Sequence, residues 1–197
     1  TKSLSSCTPS PTASTAPAMN PLHKGFAASV RPSDRRPPWQ WCEEHIVVDN
    51  TSPMPGRWRS DSPPWVKEMM EVFADNRVSD ISVQCSAQSS KTQTVMILVC
   101  WAISEDPGPA LWVMAAKDDV KDFVRDRFSP TVNLCTPLAF QIIAEERLQF
   151  VFASCPLYFV GAGSPSKLQS KPIRWLFMDE VRIPADTRDF SVAELKQ

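Results

Sequence analysis

Two pairs of adjacent residues in this 197-residue chain have side chains suited to phosphoryl chemistry, Lys91-Thr92 and Asp179-Glu180. Lys91-Thr92 follows a polar loop, CSAQSS at 85–90, and opens an apolar stretch that reads as a helix through Trp101. Backbone N–H groups of such a loop, with the positive end of the helix dipole, receive phosphates that the lysine neutralises. A threonine hydroxyl in that position ligates magnesium. Ser86, Ala87, Gln88, Ser89, Ser90, Lys91 and Thr92 are therefore the candidate phosphate-binding residues. The pattern G-x-x-x-x-G-K-[ST] sets glycine at 85 and 90, where positive φ and close backbone approach are wanted. Cys85 and Ser90 stand there instead. Taken alone, SSKT is more often a solvated helix cap, so the second pair decides.

Asp179-Glu180 closes an apolar run, IRWLFM at 173–178, that reads as a strand. Transfer of a phosphoryl group to water needs a carboxylate to hold hydrated magnesium and a second group to orient or deprotonate the water. Adjacent Asp and Glu at the C-terminal edge of a parallel strand do both, because open α/β sheets bind ligands at that edge. Alone, an acidic pair there is a solvated strand end. Jointly with Lys91-Thr92 it makes a candidate site for phosphoryl transfer to water.

The elements that must position these residues follow from pattern. Residues 1–38 are rich in Ser, Thr, Pro and Ala and lack a helical or strand period, so they are expected to be disordered. Trp39 to Trp65 is a Trp- and Pro-rich arm, expected to lie extended across the following core. VKEMMEVFADN repeats apolar residues at helical spacing. Val78–Val83 reads as a buried strand feeding the loop. Ala110–Ala116 reads as a strand covered on both faces, and Lys117–Phe128 as an amphipathic helix. Pro137–Arg147 reads as a further helix, and Leu148–Ala153 with Leu157–Val160 as a hairpin. The alternation predicts an α/β fold with a mainly parallel sheet.

A formal net charge of −1 gives no global basic field for nucleic acid, and no apolar run approaches a bilayer span of roughly 20 residues. Six cysteines without a CxxC pair, mostly in apolar runs, suit free thiols in a reducing compartment. With His23 and His45 alone outside the apolar segments, a zinc site or a His-based triad has little to be made from.

GRWRSDSPPWVKEMMEVFADNRV, CSAQSSKTQT, EDPGPALWVMAA and VGAGSPSKLQSKPIRWLFMDEVR, in that order across about Trp39 to Pro184, resemble the ATPase domain of the large terminase subunits of tailed bacteriophages and prophages, in the lambda-like branch. The resemblance implies a P-loop NTPase-like core of the RecA-like (ASCE) type over 39–197, incomplete at its C-terminus and without the family's nuclease domain. It implies an ATP-hydrolysing, magnesium-dependent DNA-packaging motor in the bacterial host cytoplasm, with Asp179 and Thr92 holding the metal and Glu180 and Lys91 catalytic. Its partners would be double-stranded DNA, the terminase small subunit and the portal of the procapsid, with the full-length motor a homo-oligomer and no membrane involved. Trp65 stands where the family has an aromatic residue near adenine, and Val66 replaces the glutamine that often follows it. No arginine lies in the loop, which leaves Arg174 or a subunit in trans to stabilise transition-state charge. A degenerate prophage-derived remnant that binds nucleotide, DNA or a partner without turnover is the alternative.

Overall fold

The computed structural model describes residues 34, 36–50, 52, 54–61, 63–162 and 172–179. The expected tail therefore lies almost wholly outside the described residues, as does most of the loop before the last strand. Within the arm, Pro37 and Pro38 start a helix where an extended chain was expected. α1 spans Pro38–His45 with proline in its first turn, where the missing N–H removes no helical bond. Trp41 and Cys42 on α1 are fully buried, so these aromatic and thiol side chains are core. The two-residue strands β1 (Val47–Val48) and β2 (Gly56–Arg57) pair antiparallel behind it. The Glu43 carboxylate accepts the Ser60 N–H at 2.9 Å and the Ser60 hydroxyl at 2.6 Å, closing the arm on itself.

α2 (Trp65–Phe73) buries Val66 and Met70. Beyond it, residues 78–86 are extended but belong to no sheet among the described residues. Val78, Ile81 and Val83 are about 40 % exposed. The expected buried strand at 78–83 is thus corrected to an unpaired extended segment. Its residues have β-propensity, yet a strand needs a laddered neighbour, and none of the described strands lies beside it.

α3 (Lys91–Glu105) follows, and every residue from Met96 to Ile103 is buried. A helix apolar on all sides must be enclosed on all sides, and α1, α2 and the sheet do this through Trp41, Met70 and Phe177 in one shared cluster. β3 (Ala110–Met114) is next, then α4 (Lys117–Phe123), a π-helical turn (Val124–Phe128), α5 (Ser129–Leu134) and α6 (Thr136–Ala139). The helix expected over 137–147 is corrected: α6 ends at Ala139, and Ile142–Glu146 is a strand, β4. The β-branched pair Ile142-Ile143 favours the pleated backbone, and antiparallel pairing with β5 (Gln149–Phe152) captures it. β6 (Pro156–Gly161) returns antiparallel to β5, as the predicted hairpin required.

β7 (Trp175–Asp179) completes a five-stranded sheet in the order β4-β5-β6-β3-β7. β3 runs parallel to both β6 and β7, while β4 and β5 are antiparallel, so the sheet is mixed where a mainly parallel one was expected. The two faces of β3 behave as its unbroken apolar sequence predicts. Ala110 and Trp112 enter the helix-covered core, and Leu111 and Val113 join Val160 on the other side. Trp112 is the hub of the first face, within about 6 Å of the rings of Phe123, Phe128, Phe159 and Phe177. The five described cysteines are free, four of them buried, and burial holds the Cys42 and Cys100 thiols well above their ordinary range.

Candidate phosphate-binding site

Residues 85–90 fold into a tight turn that ends on the first residue of α3. The Ser89 hydroxyl donates to the Ser86 carbonyl at 2.8 Å, and the Lys91 ammonium reaches back to the Cys85 carbonyl at 3.3 Å. Lysine and loop thus form one ring of polar groups around the head of the helix. Lys91, Thr92 and Gln93 occupy the first turn, whose N–H groups have no i−4 partner within the helix and point outward along its axis. Thr94 is the first to close the helical ladder, with its N–H and its hydroxyl both 2.9 Å from the Ser90 carbonyl.

Gln88 and Ser90 have positive φ, 56° and 64°. Ser90 is the position where the sequence pattern sets glycine, so the backbone keeps the left-handed conformation while the residue does not suit it. Cys85 is not among the positive-φ residues; the second such position in this loop is Gln88. Left-handed serine costs about 1–2 kcal/mol, and glycine returns about 0.5–1 kcal/mol of that as extra unfolded-chain entropy. Ser90→Gly is therefore expected to stabilise the protein by about 0.5–1 kcal/mol, seen as a higher urea midpoint at unchanged slope. A lower midpoint would mean that the Ser90 side chain makes a contact worth more than the strain.

The connections fix which rim of the sheet the tail of α3 meets. α3 ends four residues before β3 begins, and the Ser154 hydroxyl, in the turn before β6, donates to the Ile103 carbonyl near the end of α3. The tail of α3 is thus held at the rim where β3 and β6 start. Fifteen residues of helix rise roughly 22 Å, so its head stands about that far along the axis from the end held at this rim. The segment before the loop runs the same way. Phe73 stacks on Trp175 at the start of β7, with centroids 4.9 Å apart, and the extended chain from 78 leads from there to the loop.

Asp179 is the last residue of β7, paired with Met114 at the end of β3. It is 8 % exposed and no hydrogen bond or ion pair to it is found among the described residues. A buried carboxylate in this state suits a hard cation. No cluster of three His, Cys, Asp or Glu side chains that could hold a metal occurs among the described residues. Glu180 lies outside the described residues. Trp65 heads α2 and packs half-buried against the core, and Val66 beside it is fully buried.

Arg174 belongs to the other end of the sheet. Its guanidinium meets Asp106 at 2.6 Å and donates to the Pro107 carbonyl at 3.3 Å, at the rim where β7 starts. Its side chain lies so close over Gly108 that a Cβ there would stand 2.4 Å from its Cδ. It staples the α3–β3 connection and does not reach the phosphate loop. Sequence reasoning missed a different arginine, Arg127, whose Nη2 donates to Gln93 Oε1 in the first turn of α3 at 3.3 Å. The two are 34 residues apart, and only the packing of the π-helical turn against α3 joins them.

The family model for the ATPase domain of the phage terminase large subunit gpA matches residues 52–190. The chain belongs to that family. No curated protein matches it. The matched span includes the loop at 85–90, α3, the whole five-stranded sheet and Asp179, so the terminase match covers both halves of the candidate site. Two concave regions line the described surface, one of about 540 Å³ bordered by Lys121, Arg125, Ser129 and Glu145, the other of about 170 Å³ bordered by Gln93 and Arg127. Neither contains Lys91 or Asp179. No helix among the described residues is long and apolar enough to cross a membrane.

Proposed function

We propose that this chain binds and hydrolyses ATP as the motor domain of a DNA-packaging terminase, on a P-loop core of the RecA-like type. The observation that carries the reading is the Lys91-headed α3, with its left-handed Ser90 and its ammonium folded back onto the loop at the Cys85 carbonyl, in a chain whose β7 closes on Asp179.

In this reading the N–H groups of residues 86–92 hold the phosphates, and the Lys91 ammonium exchanges the Cys85 carbonyl for β- and γ-phosphate oxygens. Asp179 and the Thr92 hydroxyl hold magnesium, which when bound screens the charge of those oxygens. Glu180 accepts a proton from the attacking water at a carboxylate oxygen, so that hydroxide character develops in line with the γ-phosphorus. Trp65 lies toward the adenine side. With Arg174 bound at the far rim, the charge-stabilising arginine comes from a neighbouring subunit of a homo-oligomer. Double-stranded DNA, the terminase small subunit and the procapsid portal are the partners, in the bacterial cytoplasm.

MgATP at 100 times its dissociation constant is expected to add about 2.7 kcal/mol, a rise of several degrees in melting temperature, and Lys91→Ala to remove the rise. Superimposable wild-type melting curves with and without MgATP would sink the reading. A second reading, a remnant that binds without turnover, is favoured by the non-glycine residues at positive φ in the loop. Binding without hydrolysis by the wild-type chain would support it.

A further inference from the structure

We infer that a second copy of this chain packs its β7 end against the β4 end of the first, head to tail, so that the sheets of successive copies lie side by side. The inference goes beyond the nucleotide chemistry. It names the contact faces of the homo-oligomer in the reading above, and it can fail while MgATP binding stands.

The large apolar side chains exposed among the described residues, Met54 aside, gather at the two ends of the five-stranded sheet. At the β4 end stand Leu134, Phe140 and Ile143, with Phe140 72 % exposed. The Ser129 hydroxyl donates to the Glu145 carboxylate at 2.6 Å, which ties α5, and with it Leu134, to β4. At the β7 end, Met178 is 46 % exposed on the edge strand itself. Val72 and the run from Val78 to Val83 belong to the same end. Phe73 stacks on Trp175 of β7, and the Val78 N–H donates to the Asp75 carbonyl at 2.9 Å, so the run starts one turn beyond that stack. Single exposed apolar residues scattered over a surface need no explanation, whereas groups of them mark contact surfaces.

The pairing of the two ends points to the occupant. A different protein docked at one end leaves the other in water, whereas a copy set head to tail covers the β4 end of one molecule with the β7 end of the next. Strand direction suits this. β4 and β6 are each antiparallel to β5, and β6 and β7 are each parallel to β3, so β4 and β7 run the same way and the copies meet rim to rim. A twofold contact of β4 with β4 is disfavoured, because it brings the exposed Glu145 and Glu146 of both copies onto one short seam. The bulge between Ile142 and Ala144 breaks the regular outer edge of β4, so the contact is made by side chains and not by a continued ladder. Charge agrees with the direction. Arg147, in the turn after β4, is exposed, and no ion pair or hydrogen bond to it is found among the described residues. Asp179 closes β7 at the same rim, also without such a partner, so head-to-tail packing brings two opposite charges to one seam. A contact of this kind repeats from copy to copy and closes into a ring where the rotation allows.

The test is sedimentation velocity of the 197-residue chain over a range of concentrations, with one charged substitution on each face, Phe140→Glu and Ile81→Glu. Both sites are exposed, and melting curves check that both variants fold. The wild-type chain is expected to grow from monomer to dimer and beyond as concentration rises. Each variant alone is expected to self-associate about tenfold more weakly or less, because its one damaged face is needed at every contact. An equimolar mixture of the two keeps one intact pair of faces and should give a dimer that grows no further. A wild-type chain that stays monomeric would overturn the inference. So would either variant associating alone as the wild type does, the mark of a twofold contact through the other face, or a mixture that stays monomeric. The melting shift with MgATP, measured on the same samples, reports on the nucleotide reading separately.

Discussion

Glu180→Gln is expected to slow ATP hydrolysis by about 100- to 10,000-fold while nucleotide still binds. Removing a general base costs that much, because the water must then lose its proton without help in the transition state. Binding survives because the phosphates are held by loop N–H groups, Lys91 and metal, none of which the amide displaces. Phosphate release measured at saturating MgATP gives the rate, and the melting shift gives the binding. The neighbouring substitution Asp179→Asn separates the two carboxylates: it should raise the magnesium concentration needed for binding, since it touches the metal and not the proton. Equal turnover in wild type and Glu180→Gln would remove Glu180 from the chemistry.

Trp112→Ala is expected to destabilise the fold by about 3–5 kcal/mol, the usual range for emptying the space of a large aromatic residue in a closed core. Trp112 is fully buried on the central strand and touches four phenylalanine rings contributed by α4, the π-helical turn, β6 and β7. A cavity there has walls on separate elements that cannot collapse together. Trp112→Phe is the informative companion. The indole N–H has no hydrogen-bond partner, so phenylalanine gives up ring volume but also removes an unsatisfied donor. Its cost should stay below about 1.5 kcal/mol. Chemical denaturation at unchanged slope reads both values. Similar losses for the two variants would mean that the indole is needed for more than volume.

Strands with long apolar runs were readable from the sequence. Ala110–Met114 is an unbroken apolar run because both its faces are covered, Trp175–Met178 is an apolar run although β7 is an edge strand with Met178 exposed, and the hairpin of β5 and β6 carried its own turn. Ile142–Glu146 was misread because it is an edge strand with a charged, exposed end, and Pro137-Leu138 before it does start a helix, one that stops after four residues. Residues 78–83 carry strand-like side chains, but composition cannot say whether a ladder partner stands alongside. The arm was misread because Pro37-Pro38 suits both an extended chain and a helix start, and the burial of Trp41 decides between them. Within the candidate site, Lys91, Thr92 and Asp179 stood out by residue type and by the element each closes or opens. Gln93 and Arg127 did not, because an amide and a guanidinium 34 residues apart have no shared motif until two helices are packed.

The enclosure of α3 also limits how any stroke could begin. A rod gripped on every side by close-packed side chains cannot slide or tilt without breaking the core that stabilises the protein. On the proposed motor reading, displacement set off at Lys91 would leave through the exposed, unladdered segment at 78–90, the described segment next to it. In that proposed motor α3 would be the anvil and the segment at 78–90 the spring.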